Sequence, residues 1–139
     1  MSELKRQLGK LKKHKSPGPD GIHNEMLKLL GPIGRQALLC LINMTRCSGD
    51  IPKVWRNAIL TPILKKGKPQ DDLNSYRPIS ITSCLSKLSE RMVNSRLYWW
   101  LETSGQLSKF QAGFRAGCRT EDHKRVLREY RLNGSKVTN

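Results

Sequence analysis

Trp55–Ser83, WRNAILTPILKKGKPQDDLNSYRPISITS, decides how this 139-residue chain folds. Two β-prone runs, Ala58–Leu64 and Tyr76–Thr82, flank a segment rich in Gly, Pro, Asp, Asn and Ser. That pattern predicts strand, turn and strand. Each run holds one proline, Pro62 in the first and Pro78 in the second. Proline has no N–H to give a ladder, so both runs belong at sheet edges or bulges. A cation closes the inner end of each arm, Lys65 on the first and Arg77 on the second. With Asp71 at the loop midpoint, antiparallel pairing places the two roughly opposite one another. Like charges facing across a strand pair destabilise it, and an anion held between them resolves the conflict. For Arg77 a local salt bridge to Asp71 or Asp72 is the competing reading.

The charge of the whole chain points the same way. Lys and Arg number 26 against 11 Asp and Glu, a net charge of +15 that repels itself unless polyanions screen it. Nucleic acid is the obvious polyanion, and an ordinary solvated basic surface is the alternative. The basic residues are spread along the chain, which suits a groove better than a disordered tail. A length of 139 residues leaves room for one domain or part of a larger one, and 37% hydrophobic residues allow a modest core. Cys40, Cys47, Cys84 and Cys118 show no C-x-x-C spacing, and His14, His23 and His123 are far apart. Neither a zinc site nor a disulfide framework is expected. The longest apolar run, Ala37–Ile42, is too short to span a bilayer, and MSELKRQ lacks the apolar core of a signal peptide. The expectation is an intracellular protein, nuclear or cytoplasmic and not secreted, with no membrane partner.

Residues 2–14 read as a basic amphipathic helix with Leu4, Leu8 and Leu11 on one face. Its lysines either contact phosphates or form a solvated surface. SPGPDG (16–21) breaks the chain in a tight turn that Asp20 serves, and it lacks the G-x-x-x-x-G-K-[ST] phosphate-loop pattern. Helices follow over 23–30 and about 33–47, divided at Gly31-Pro32, with Leu38, Leu41, Ile42 and Thr45 facing the core. Trp55 is expected to pack against them. Thr82 or Ser83 can cap a long helix reaching about Glu102, with Leu85, Leu88, Met92 and Leu97 as its apolar stripe. Tyr98-Trp99-Trp100 read as core in preference to a base-stacking platform. Gly105 stops that helix, Gln111–Arg115 is a loop, and Thr120 can cap a final helix.

W-R-x-A-x-x-x-P-I-x-K-x-G-K from Trp55 and S-Y-R-P-I-S-I-T-S from Ser75 resemble finger motifs of reverse transcriptases from non-LTR (LINE-type) retrotransposons, nearest the jockey-like kind. Lys15–Gly21 (KSPGPDG) and Gln111–Arg115 (QAGFR) extend the resemblance to roughly residues 8–122. It implies an α+β fold, mostly helical with one β-hairpin: the fingers of an incomplete right-hand polymerase, with at most the edge of the palm. Residues 1–50 would carry the N-terminal helical part and the SPGPDG turn, and 51–139 the hairpin, long helix and QAGFR segment. Lys65 and Arg77 would grip an incoming triphosphate, Arg77 more firmly because a guanidinium fork matches phosphate oxygens. Gln111, Gly113, Phe114 and Arg115 would lie near the nucleotide, and Lys12, Lys13, Lys15, Lys66 and Lys68 would bind nucleic acid. Gly117-Cys118-Arg119-Thr120 departs from the family's G-R-S-T, and the match fades beyond Asp122.

An intact relative would be an RNA-directed DNA polymerase using magnesium and deoxynucleoside triphosphates on an RNA template or RNA–DNA hybrid. Its metal-holding aspartates lie in an apolar-Asp-x-x-x-Ala-Phe-Asp segment and an aromatic-x-Asp-Asp segment, and neither occurs in residues 1–139. Asp71-Asp72, the adjacent carboxylate pair in the hairpin loop, reads as an exposed turn feature. The resulting expectation is a fragment that contributes template and nucleotide binding. It would have no catalytic or metal-binding residue of its own, would be inactive alone, and would be partnered by a palm region downstream. The rivals are a non-enzymatic basic nucleic-acid-binding module and a decayed or co-opted element copy. On charge alone, RNA or single-stranded DNA should bind with low-micromolar or weaker affinity and little sequence preference. That affinity should fall steeply as salt rises, as titration at several salt concentrations will show.

Overall fold

The computed structural model describes residues 1–108, 111, 113–119, 121, 122, 124, 125, 127 and 128. Their elements run α1 (Ser2–Gly9), α2 (Asn24–Leu29), α3 (Pro32–Ser48), α4 (Lys53–Arg56), β1 (Ala58–Leu64), β2 (Tyr76–Thr82) and α5 (Cys84–Thr103). This is the expected α+β arrangement with one hairpin. Two units divide it, Met1–Ser95 and a second that begins at Arg96, so the division falls inside α5.

β1 and β2 pair antiparallel in unbroken register from Ala58↔Thr82 to Leu64↔Tyr76. The Lys65 N–H donates to the Ser75 carbonyl at 2.8 Å and carries the ladder one rung further. Hydrogen-bonded and non-bonded pairs alternate along an antiparallel ladder. Counting from Lys65 and Ser75, Pro62 and Pro78 face each other at a non-bonded rung, so neither needs the donor it lacks.

The core of the first unit is assembled from short stripes at helical spacing: Leu4 and Leu8 in α1, Leu38 and Ile42 in α3, and Cys84, Leu88 and Met92 in α5. Trp55 on α4 packs with them, as the sequence predicts, and Leu11 and Leu27 complete the cluster. Leu4, Ile42, Leu88 and Met92 are fully buried, each stabilising by about 1.5–3 kcal/mol relative to exposure.

Three sequence expectations change. Helix α1 ends at Gly9, not at residue 14. Glycine is a poor helix former, and the carbonyls at this end find partners on α2. Lys28 Nζ donates to the Gly9 and Leu11 oxygens at 3.4 and 2.9 Å, and Asn24 Nδ2 donates to the Lys12 oxygen at 2.8 Å. Leu41, placed in the core by periodicity, is 39% exposed beside buried Leu38 and Ile42. The third change is the aromatic run on α5. Trp99 is 66% exposed, Trp100 52% and Leu97 50%, because the buried stripe stops at Met92 while a 20-residue helix extends about 30 Å. Tyr98 is half-buried, and its hydroxyl accepts the Ala116 N–H at 2.9 Å. Thr120, the expected cap of a final helix, lies outside the described residues.

The SPGPDG turn is fastened to the start of α5. Gly21 N–H donates to the Gly18 carbonyl at 3.0 Å across Pro19 and Asp20, with Gly21 in the left-handed region at φ 66°. Asp20 Oδ1 accepts the Ile22 N–H at 3.2 Å, and Asp20 Oδ2 accepts the Ser83 hydroxyl. Ser83 Oγ in turn accepts from the Leu85 and Ser86 amides at 3.1 and 3.4 Å, which makes Ser83 the N-cap of α5. Gly18 presses on the same corner: a Cβ there would stand 2.5 Å from Ser83 N and 2.6 Å from Thr82 C. Gly18→Ala should therefore cost about 1–3 kcal/mol by overpacking, and Ser83→Ala about 0.5–2 kcal/mol through the lost cap. Gly9→Ala, where a Cβ meets nothing within 4 Å, should gain about 0.5–1 kcal/mol. Urea unfolding of the three variants checks both signs.

Candidate nucleic-acid interface

The hairpin presents an isoleucine face that ends in charge. Residues paired across the ladder share a face, so Ile59, Thr61, Ile63 and Lys65 lie with Ile81, Ile79, Arg77 and Ser75. Arg77 stands opposite Ile63, and Lys65 stands opposite Ser75. The two cations are therefore diagonal neighbours on one face, not directly opposed. Lys65 Nζ donates to the Asn74 carbonyl at 2.6 Å, while Arg77 is exposed. Among the described residues Arg77 makes no ion pair with Asp71 or Asp72.

The loop beyond them is ordered by its own bonds. Lys68 N–H donates to the Lys65 carbonyl at 3.2 Å, and Gly67 at φ 74° supplies the left-handed position of that turn. Lys66 and Lys68 are consequently held at an exposed corner. Asp72 Oδ1 accepts the Asn74 amide at 2.9 Å at the head of a single 3₁₀ turn, Leu73–Ser75, which bears out its reading as a turn residue. Tyr76 Oη donates to the Gln70 carbonyl at 2.9 Å.

Lys12 and Lys15 line a cavity of about 320 Å³ together with Lys10, Lys87 and Arg91. Lys13 is exposed but does not line it. The chain leaves α1 here in an irregular stretch, with His14 left-handed at φ 56° and its N–H donated to Glu25 Oε1. That bond, before any charge effect, holds the Glu25 carboxyl below the usual carboxylate range. Cys84 forms part of the cavity wall, and burial pushes its thiol above the ordinary cysteine value. Sequence reasoning did not place Lys10, Lys87 and Arg91 in a site. The available signal was the i, i+4 spacing of Lys87 and Arg91 on α5, off its apolar stripe.

The QAGFR segment belongs to the second unit. Gln111 and Gly113 are exposed, and a Cβ at Gly113 would meet none of the described residues within 4 Å. Phe114 is fully exposed in the left-handed region at φ 59°. Arg115 is engaged within the chain: its guanidinium forks onto Glu102 at 2.9 and 2.8 Å, and Nη1 donates to the Ser108 carbonyl at 3.1 Å. These bonds hold the Glu102 carboxyl below the ordinary range and raise Arg115 further.

Among the described residues no three His, Cys, Asp or Glu side chains gather to hold a metal ion, and no helix is long and apolar enough to cross a membrane. The four cysteines are free.

No family model matches the chain. Its sequence is similar to that of the RNA-directed DNA polymerase from mobile element jockey of Drosophila melanogaster, with 36% identity over 115 residues, 83% of this chain and 13% of that protein. The probable RNA-directed DNA polymerase from transposon BS of the same organism is 38% identical over 133 residues, 95% of this chain and 14% of that protein. The corresponding protein of transposon X-element, also from D. melanogaster, is 38% identical over 120 residues, 84% of this chain and 13% of its own length. This chain thus spans only a small fraction of the length of the curated relatives it matches.

The Glu102–Arg115 pair carries a pH dependence. A carboxyl lowered in the folded state contributes stability above its unfolded pKa and loses it as pH falls through the folded one. Arg115→Ala should move the Glu102 midpoint upward, toward the ordinary carboxylate range, with the Tyr98 hydrogen bond still lowering it, read by NMR titration of its side-chain carboxyl.

Proposed function

We propose that this chain, a relative of the RNA-directed DNA polymerases of jockey-like non-LTR retrotransposons, is the finger portion of such an enzyme and binds its template and incoming nucleotide. The observation that carries this reading is the hairpin tip, where Lys65 and Arg77 share one face with Arg77 free of Asp71 and Asp72. A tetraanionic triphosphate matches that pair. Arg77 offers a planar fork to two phosphate oxygens, and Lys65 offers a point charge in exchange for its bond to the Asn74 carbonyl. Lys66 and Lys68 at the exposed corner supply backbone contacts to a template strand. Gln111, Gly113 and Phe114 are assigned to the nucleotide by resemblance alone. Arg115, bonded to Glu102 and Ser108, shapes its own loop.

In this reading magnesium serves the transfer step in the whole polymerase. The described residues provide no cluster of His, Cys, Asp or Glu to hold it. The part played by residues 1–139 is to bind and orient.

The test is a chimera that joins this chain to the downstream region of an active relative. Arg77→Ala should reduce nucleotide use, kcat/KM, by about ten- to a hundred-fold, and Arg77→Lys should recover only part of that. Template binding measured without nucleotide should change little. An equal fall in template binding would make Arg77 a strand contact and end the clamp assignment. The chain alone should extend no primer with magnesium or manganese, as a primer-extension assay on purified protein will show.

A further inference from the structure

Five cations surround one cavity in the first unit. Lys10, Lys12 and Lys15 come from the stretch after α1, and Lys87 and Arg91 from the early turns of α5. Among the described residues none of the five forms an ion pair. No carboxylate is among the described lining residues; Asp20 bonds Ser83 and Ile22, Glu25 takes the His14 N–H on Oε1 with its Oε2 left without a partner among the described residues, and Glu90 takes the Ser86 hydroxyl at 2.8 Å. Like charges gathered at one concavity repel, and an anion from outside relieves them. The N-terminus of α5 adds partial positive charge, since Cys84, its first residue, is part of the wall.

The lining also limits what that anion is. Among the described residues it contains no aromatic side chain on which a base could stack. A volume of about 320 Å³ is at the small end of ligand pockets. Such a site positions phosphate without reading sequence.

We propose that this cavity is a phosphate seat, separate from the hairpin tip, that holds backbone phosphates of a bound nucleic-acid strand. The proposal rests on the nucleic-acid-binding reading given above.

Calorimetric titration of the whole chain at fixed ionic strength, with pyrophosphate and with a short oligothymidylate lacking terminal phosphates, tests it. Pyrophosphate should bind saturably, and the oligonucleotide should displace it. Replacing two cations together, Lys12→Gln with Arg91→Gln, should weaken both ligands about tenfold or more and lower the salt slope of strand binding by about two. Lys12→Arg with Arg91→Lys, which keeps both charges, should retain binding. In the unaltered chain, amide shifts on adding pyrophosphate should include residues 10–16 and 84–91 besides any at the hairpin tip, a readout that needs no variant to fold. An absence of shifts at residues 10–16 and 84–91 overturns the seat. Pyrophosphate that the oligonucleotide cannot displace makes the cavity a site for free phosphate compounds and overturns its role on the strand. Oligonucleotide binding unchanged in the glutamine variant overturns the seat and leaves nucleic-acid binding standing. No oligonucleotide binding by the unaltered chain overturns both.

Discussion

The Ser83 hydroxyl is the atom group on which the first unit depends. It donates to Asp20 across 63 residues of sequence and accepts the two amides that open α5. Bringing such distant positions together costs loop entropy, and the contact is reinforced by backbone seated on backbone at Gly18. Once α5 starts at Cys84, its phase is set. Leu88 and Met92 then face the core, and Lys87 and Arg91 border the basic cavity. A shift of one residue in the cap would rotate that helix by about 100° and exchange those roles.

The carboxylates of this strongly basic chain have a common use. Asp20, Glu25, Asp72, Glu90 and Glu102 each accept hydrogen bonds from the chain itself, at a turn, a loop amide, a 3₁₀ cap, a helix face and an arginine. Acid groups thereby serve the fold, and most of the positive charge stays uncompensated. Self-repulsion on that scale is tolerable only while core burial and these local bonds outweigh it.

What the sequence disclosed depended on how local the cause was. Both strands were legible to the residue, because alternating β-branched runs and a Gly-Pro-Asn-Asp turn are short-range signals, and the start of α5 was narrowed to a cap at Thr82 or Ser83, of which the structure uses Ser83. The end of α1 was not, since the groups that stop it, Asn24 and Lys28, reach over from α2. At the candidate site, the charges of Lys65 and Arg77 were evident, but their diagonal offset follows from the rung at Ser75, which a midpoint count misses. The exposure of Trp99 and Trp100 was likewise hidden, because helical periodicity marks an apolar face without saying how far along the helix a neighbour covers it.

The facing prolines carry a consequence beyond their own rung. At a non-bonded pair the backbone N–H groups point away from the partner strand, toward the two outer margins of the ribbon. Pro62 and Pro78 erase those outward donors at the same height on both sides. A third strand approaching either margin finds a gap in the row it must bond, midway along the ribbon. The ribbon is thereby blunted at that height against the addition of a third strand. It can hold isoleucines in water without templating the growth of a sheet, and its bonding capacity is left at the tip, in side chains.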